Sequence, residues 1–374
     1  MVNFEIIANL KAIKDSDNFT AFETKSFDSG WQNTRYRFNA ISGTNRFMLE
    51  IGGGRWSDEK KNQIFTFARA EAGKKPEKLT VKWEDRKNPD VIAKVAGYRI
   101  YTCNLLTFDE RKTLEESGNA EEATKKNHQF LEKTEFASLV KRVIDSGKYA
   151  DAKFKIVGTM DFQYSASKGM FYRTMSVDKI YKVADDTPYK AEMTINAFYT
   201  EDAIDAESYD DTKKYFFDCY TDHYFSSVKG NRFVPIKLVI RGDGDEKAEK
   251  RAAGFKKMLE KFDDEATVRK IGLVCDMIDG AESLAITYDD LDEDTRDNID
   301  MGLIELEDAI KALGGNMMGQ RITEYRVKSL SRTSAKGSEA TVYTEDDLKK
   351  LPVVEPKEEE IDIFAEDDED EDDI

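Results

Sequence analysis

Histidine is almost missing from this chain. His128 and His223 are the only two in 374 residues, so acid–base or nucleophilic chemistry built on imidazole has little to draw on. Cysteine is nearly as scarce: Cys103, Cys219 and Cys275 are odd in number, far apart, and never in a Cys-x-x-Cys pair. That excludes a disulfide framework and fits buried thiols in a reducing compartment. Cys219 and His223 have Cys-x-x-x-His spacing, but no second pair completes a tetrahedral zinc site, so they read as packed strand residues. No apolar run approaches the ~18 residues of a membrane span. The start, "MVNFEIIANLKAIKDSDNF", lacks the features of a secretory signal. The expectation is a cytoplasmic protein without a membrane partner.

Catalytic and cofactor signatures are equally thin. "IGGGRW" (51–56) matches neither phosphate-binding glycine pattern and is expected as a barrel turn. "DDLDEDTRDNID" (289–300) spaces Asp290, Asp292 and Asp294 like the start of a calcium loop. Thr295 and Met301 stand where that loop needs Gly and Glu, so an acidic first turn of a helix is the better reading. With no G-x-S-x-G either, no catalytic residue, metal or cofactor is expected, and the chain is not expected to be an enzyme.

What the chain does have is segregated charge. The net charge is −18, and residues 355–374 alone carry −12. Residues 184–222 add −8 and 263–308 add −13, which leaves +15 on the rest of the body. A basic part of that size suits a polyanion, and the acidic parts do not.

Short runs rich in aromatic and β-branched residues fill residues 1–108, separated by turns such as "DSG", "SGTN" and "KNPD", and predict a small barrel or sandwich. Residues 109–150 turn helical, with Phe130, Phe136, Leu139, Val140 and Val143 on one face, and are expected to connect two modules. A second β block runs over 151–245, with "SASKG" as a hairpin loop. Residues 246–332 are expected to be a helical region with apolar stripes on 247–262 and 299–313. Residues 333–374 are polar and acidic and are expected as a disordered linker and tail. The fold class expected is therefore α+β, mainly β: two small β modules, a helical connector, acidic helices and a disordered acidic tail.

The informative pattern is basic residues interleaved with aromatics on strands. "WQNTRYRFNAISGTNRF" supplies Trp31, Arg35, Tyr36, Arg37 and Arg46, with Arg55 and Trp56 just beyond. "DFQYSASKGMFYR" supplies Phe162, Tyr164, Lys168, Phe171, Tyr172 and Arg173, with no acid between 162 and 173. A single nucleic-acid strand offers phosphates, which pair with Arg and Lys, and unpaired bases, which stack on rings for ~1–3 kcal/mol each. Aromatics also alternate in any β core, so about half of those named are expected inside.

These stretches, together with two β blocks of OB-like pattern and a terminal acidic run, resemble the single-stranded DNA-binding replication proteins of bacteriophages. The resemblance implies OB-fold modules, a role in viral DNA replication, recombination and repair within a host cytoplasm, and single-stranded DNA as partner, with RNA open. It implies a tail that competes with DNA and recruits replication or recombination proteins. The bacterial relatives of that family end in Ile-Pro-Phe, whereas this chain ends "EDEDDI", so Ile361, Ile363 and Phe364 are the expected partner anchors. Two other classes stand beside this one: a viral structural or scaffold protein with β assembly modules, and an enzyme whose carboxylates bind a metal.

Overall fold

A computed structural model describes residues 2–71, 73–207, 209–262, 266–284, 288, 291–306, 308–309 and 317–353. β1 (Val2–Ala12), the edge strand β2 (Phe22–Ser26), β3 (Trp31–Ser42) and β4 (Asn45–Trp56) come first. β3 and β4 run antiparallel from Trp31↔Trp56 to Ser42↔Asn45, around a turn in which Gly43 takes φ +61°, a conformation glycine adopts without steric cost. An insertion follows: β5 (Gln63–Phe67), β6 (Lys78–Lys82), α1 (Pro89–Lys94), β7 (Tyr101–Asn104), α2 (Phe108–Glu116), α3 (Ala120–Lys125) and β8 (Asn127–Phe130). It has a small core of its own around Val81, Ile92, Val95, Ile100 and Leu131. Then come α4 (Lys133–Asp145), β9 (Lys153–Ser165) and β10 (Met170–Lys182).

Alternation closes these strands on themselves. Phe38, Leu49 and Ile156 point inward and are 0% exposed, because residues two apart share a face. Hydrogen bonding runs β1–β3, β3–β4, β4–β10, β10–β9 and β9–β1. Only β4–β10 is parallel, at Met175↔Leu49 and Ser176↔Glu50. α4 closes one end, burying Phe136, Leu139, Val140 and Val143. Its first turn is capped by Glu132, which accepts from the Thr134 and Glu135 amides at 2.7 and 2.9 Å and so satisfies donors the helix leaves open.

A second circuit repeats this plan. β11 (Lys190–Tyr199) is followed by β12 (Ile204–Asp205), α5 (Tyr209–Thr212), β13 (Lys214–Phe225), β14 (Gly230–Arg241), α6 (Glu246–Leu259), β15 (Arg269–Leu284), α7 (Glu293–Asp300) and β16 (Met317–Leu330). Pairing runs β11–β13–β14–β16–β15–β11, and β14–β16 is the one parallel step. The two circuits are joined where β1 pairs with β11 from Asn3↔Thr194 to Ile7↔Lys190. Lys155, Glu5, Lys190, Glu192, Lys328 and Asp276 form an alternating ladder of ion pairs over this seam, at 2.6 to 3.3 Å. Each pair at a surface is worth ~0–1 kcal/mol, but the alternation of signs holds five strands in register.

The structure corrects several expectations. Residues 246–332 hold α6, α7 and a helical turn at 306 and 308–309, but also the long strands β15 and β16, with Ile271, Leu273 and Cys275 0% exposed. The apolar stripe expected over 299–313 is interrupted, since α7 ends at Asp300 and Gly302 takes φ +70°; Ile310 and Leu313 lie outside the described residues. The helical stretch expected over 109–150 includes strand β8, which carries Phe130 against Phe136 at 6.2 Å. α4 is not a bridge between the circuits but a plug in the first.

"IGGGRW" is the end of strand β4, not a turn. A Cβ on Gly53 would lie 2.7 Å from the Lys133 Cβ and one on Gly54 2.2 Å from the Trp31 ring, so these glycines admit α4 on one side and an indole on the other. Residues 333–353 are ordered: β17 (Glu339–Ala340) pairs with β15, and a short helix, Glu345–Lys349, buries Leu348 among Phe198, Phe233 and Val268. Apolar side chains hidden in a polar segment supply what the composition concealed.

Candidate nucleic-acid interface

The outward face of β3 and β4 carries Trp31, Arg35 and Arg37 beside Met48, Glu50, Gly52, Gly54 and Trp56, as the period of two requires. The hairpin β9–β10 stands next to it, and β15–β16 of the second circuit leans over from the other side. Between them lies a groove of ≈ 500 Å³ lined by Arg35, Arg37, Met48, Tyr172, Arg173 and Tyr325, among others. Contact at its rim is close: Gly280 pairs with Asn45, the Asp279 amide donates to Asn45 Oδ1 at 3.0 Å, and a Cβ on Gly280 would lie 2.3 Å from the Thr44 carbonyl oxygen.

The cations here fall into two kinds. Arg35 pairs with Glu50 at 3.2 Å and Arg37 with Glu50 at 3.0 Å, and Glu23 sits 3.8 and 3.9 Å from the same two guanidiniums. Two arginines and two glutamates cancel. Arg173, Lys168, Arg46 and Arg55 make no ion pair among the described residues. Arg173 instead donates to the Tyr325 hydroxyl and lies 5.2 Å from that ring, and Lys168 lies 5.7 Å from the ring of Tyr172. Burial pushes the Tyr325 hydroxyl above its ordinary range, with Arg173 opposing, so it stays a neutral donor and acceptor at any working pH.

Of the residues singled out in the sequence, Arg35, Arg37, Tyr172 and Arg173 meet in this groove. Trp31 and Trp56 form a separate edge-on pair, ring centroids 5.3 Å apart, at the far end of the same face. Tyr164 and Phe171 pack on each other at 4.9 Å and are partly buried. Arg46 is exposed by the β3–β4 turn and Arg55 half-exposed beside Trp56. Two rings belong to the core: Tyr36, 2% exposed and stacked on Phe38, and Phe162, 6% exposed against His223. Both sit on inward positions of their strands and present no ring face to a ligand. Ile361, Ile363 and Phe364 lie outside the described residues.

Sequence reasoning missed Phe19, Met48 and Tyr325. "ITEYRVK" (322–328) carries the same aromatic–basic alternation as β3 and would have revealed Tyr325.

Two clusters that look chemical have structural partners. Lys133 Nζ donates to Ser176 Oγ at 2.9 Å, the contact of a Ser–Lys pair. Burial lowers the lysine pKa, but Asp178 at 3.2 Å and Tyr101 outweigh it and hold the ammonium above its ordinary range, the opposite of the lowered lysine that a Ser–Lys base uses. Asp292 caps α7 through the Thr295 amide at 2.9 Å, the structural task its acidic turn was expected to have.

No protein-family model matches the chain, and no curated protein matches it. Among solved structures, a deletion mutant of the single-stranded DNA-binding protein from Thermus aquaticus aligns with a TM-score of 0.29 at 6% identity, over 75% of this chain and 87% of that one. No helix among the described residues is long and apolar enough to cross a membrane.

Proposed function

We propose that this chain is a single-stranded DNA-binding protein, with the groove between its two circuits as the binding surface. The observation that carries this is the meeting in one groove of Tyr172, exposed at 42%, with Arg173, which makes no ion pair among the described residues, while Lys168 lies 5.7 Å from the Tyr172 ring. Rings there offer stacking and the cations offer charge to phosphate, which is what an unpaired strand needs and a duplex cannot fully use. Each circuit has the strand order, single parallel step and helix position of an OB barrel, a fold whose strand face commonly holds oligonucleotides. We therefore read residues 2–182 as one OB unit with an insertion, 190–330 as a second, and 331–353 as a strap.

The test is titration of a labelled oligonucleotide, single-stranded against duplex, at low salt. Single strands are expected to bind more tightly and with little sequence preference; equal affinity for duplex would overturn the reading. Tyr172→Ala is expected to weaken binding by about 1–3 kcal/mol with an unchanged thermal melt.

The acidic tail extends the proposal. Removing residues 355–374 takes the formal charge from −18 to −6. A tethered polyanion competes at an effective concentration on the order of mM, so truncation is expected to tighten DNA binding at low salt. The gain should shrink as salt screens both partners. Unchanged affinity at low salt would confine the tail to recruiting replication or recombination proteins, through Ile361, Ile363 and Phe364, or to solubility.

A further inference from the structure

All three tryptophans of the sequence, Trp31, Trp56 and Trp83, line one pocket of ≈ 520 Å³ between the end of β4 and the insertion. It is separate from the groove, yet lies on the same strand face: Trp31 is two and three alternations from Arg35 and Arg37, and Gly52 and Gly54 carry no side chain between them.

The pocket is built and open at once. Asn62 fixes its wall, accepting from the Trp56 amide at 2.8 Å and donating to the Trp56 carbonyl at 2.9 Å. The Trp31 indole lies on the bare backbone of Gly54, where a Cβ would come within 2.2 Å. Opposite, Phe65 on β5 is 78% exposed, an arrangement that costs hydration free energy and gains nothing inside the chain. The Trp83 Nε1–H is buried with no acceptor among the described residues, and a buried unpaired donor costs roughly 1–3 kcal/mol. The Gln63 amide lines the pocket without a hydrogen-bond partner among the described residues, and Lys61 Nζ lies 5.8 Å from the Trp56 ring.

Resting on the proposed function, we infer that this pocket takes an unstacked base of the same bound strand. Flat rings at its sides and the Gln63 amide at its rim match a heterocycle whose edge carries carbonyl acceptors. An apolar peptide side chain would fill the rings and leave that amide without a partner. Residues 57–99 hold eleven bases against seven acids, a sign that favours the phosphates flanking that base.

Tryptophan emission reports on this pocket and on the adjoining face of Trp83, whereas the anisotropy of a labelled oligothymidylate reports binding anywhere. In a joint titration of the full chain, quenching is expected to follow anisotropy. Phe65→Leu, which keeps apolar bulk and removes the π face, is expected to weaken binding about tenfold, with Phe65→Tyr restoring it. Gln63→Ala offers a second exposed site and is expected to reduce quenching. Rising anisotropy with constant tryptophan emission, or wild-type affinity in Phe65→Leu, would overturn the inference and leave the groove standing. No anisotropy change at low salt would overturn the binding reading and this inference together.

Discussion

A tenfold rise in monovalent salt is expected to weaken oligonucleotide binding by about three orders of magnitude. Single-strand binding releases roughly 0.7 counterion per phosphate neutralised. Four cations near the proposed path, Arg46, Arg55, Lys168 and Arg173, make no ion pair among the described residues. Four contacts give a log–log slope of about −3. Arg35 and Arg37 are already matched to Glu50 and Glu23, so they add shape and hydrogen bonds with little counterion release. A measured slope of about −4 or steeper would show those pairs opening on binding. A flat response would remove phosphate contact from the proposal.

The largest expected loss of stability comes from Gly158→Ala. Replacing glycine within a strand by alanine usually helps by roughly 0.5–1 kcal/mol through chain entropy. Here the added Cβ would lie 2.0 Å from the Ser176 carbonyl oxygen and 2.6 Å from the Phe4 ring. One obstacle is backbone and the other a ring 2% exposed, so neither yields without shifting β1 or β10. Overpacking of this kind costs about 1–3 kcal/mol and more when backbone must move, which outweighs the entropic gain. The urea midpoint of Gly158→Ala should fall clearly below wild type, and an equal or higher midpoint would show the sheet relaxing there.

How much of this was legible depended on distance along the chain. Strands such as Trp31–Ser42 and the hairpin at "SASKG" follow from period-two alternation and turn chemistry, and Lys168, Tyr172 and Arg173 were readable on them. The amphipathic stripe Ala252, Phe255, Leu259 predicted α6 for the same local reason. Circuit closure was not legible, because it joins β1 to β9 and β4 to β10 across a whole inserted segment. The inward placement of Tyr36 and Phe162 was equally hidden: each alternates with polar neighbours, and only the closure of the circuit decides which face is inside. β15 was missed because its charge is acidic and its neighbours are helical. Its alternating Ile271, Leu273, Cys275 and Met277 nevertheless marked a buried strand face.

The pairing of Val2 with Met160 and of Asn3 with Thr194 also sets an order of events during synthesis. The end of β1 near Val2 finds its partners only after another 150 to 190 residues, roughly 8–40 s at ~5–20 residues per second, whereas its other end can pair with β3 far sooner. Throughout that interval Phe4 and Ile6 lack the strands that flank them in the finished chain. The inserted segment, with its short-range β5–β6 hairpin, can settle meanwhile, since nearby contacts form sooner than distant ones. A ribosome carrying this chain therefore exposes a half-paired apolar strand until about residue 194 has emerged, a window in which holdase chaperones and strand-to-strand aggregation compete for the same surface.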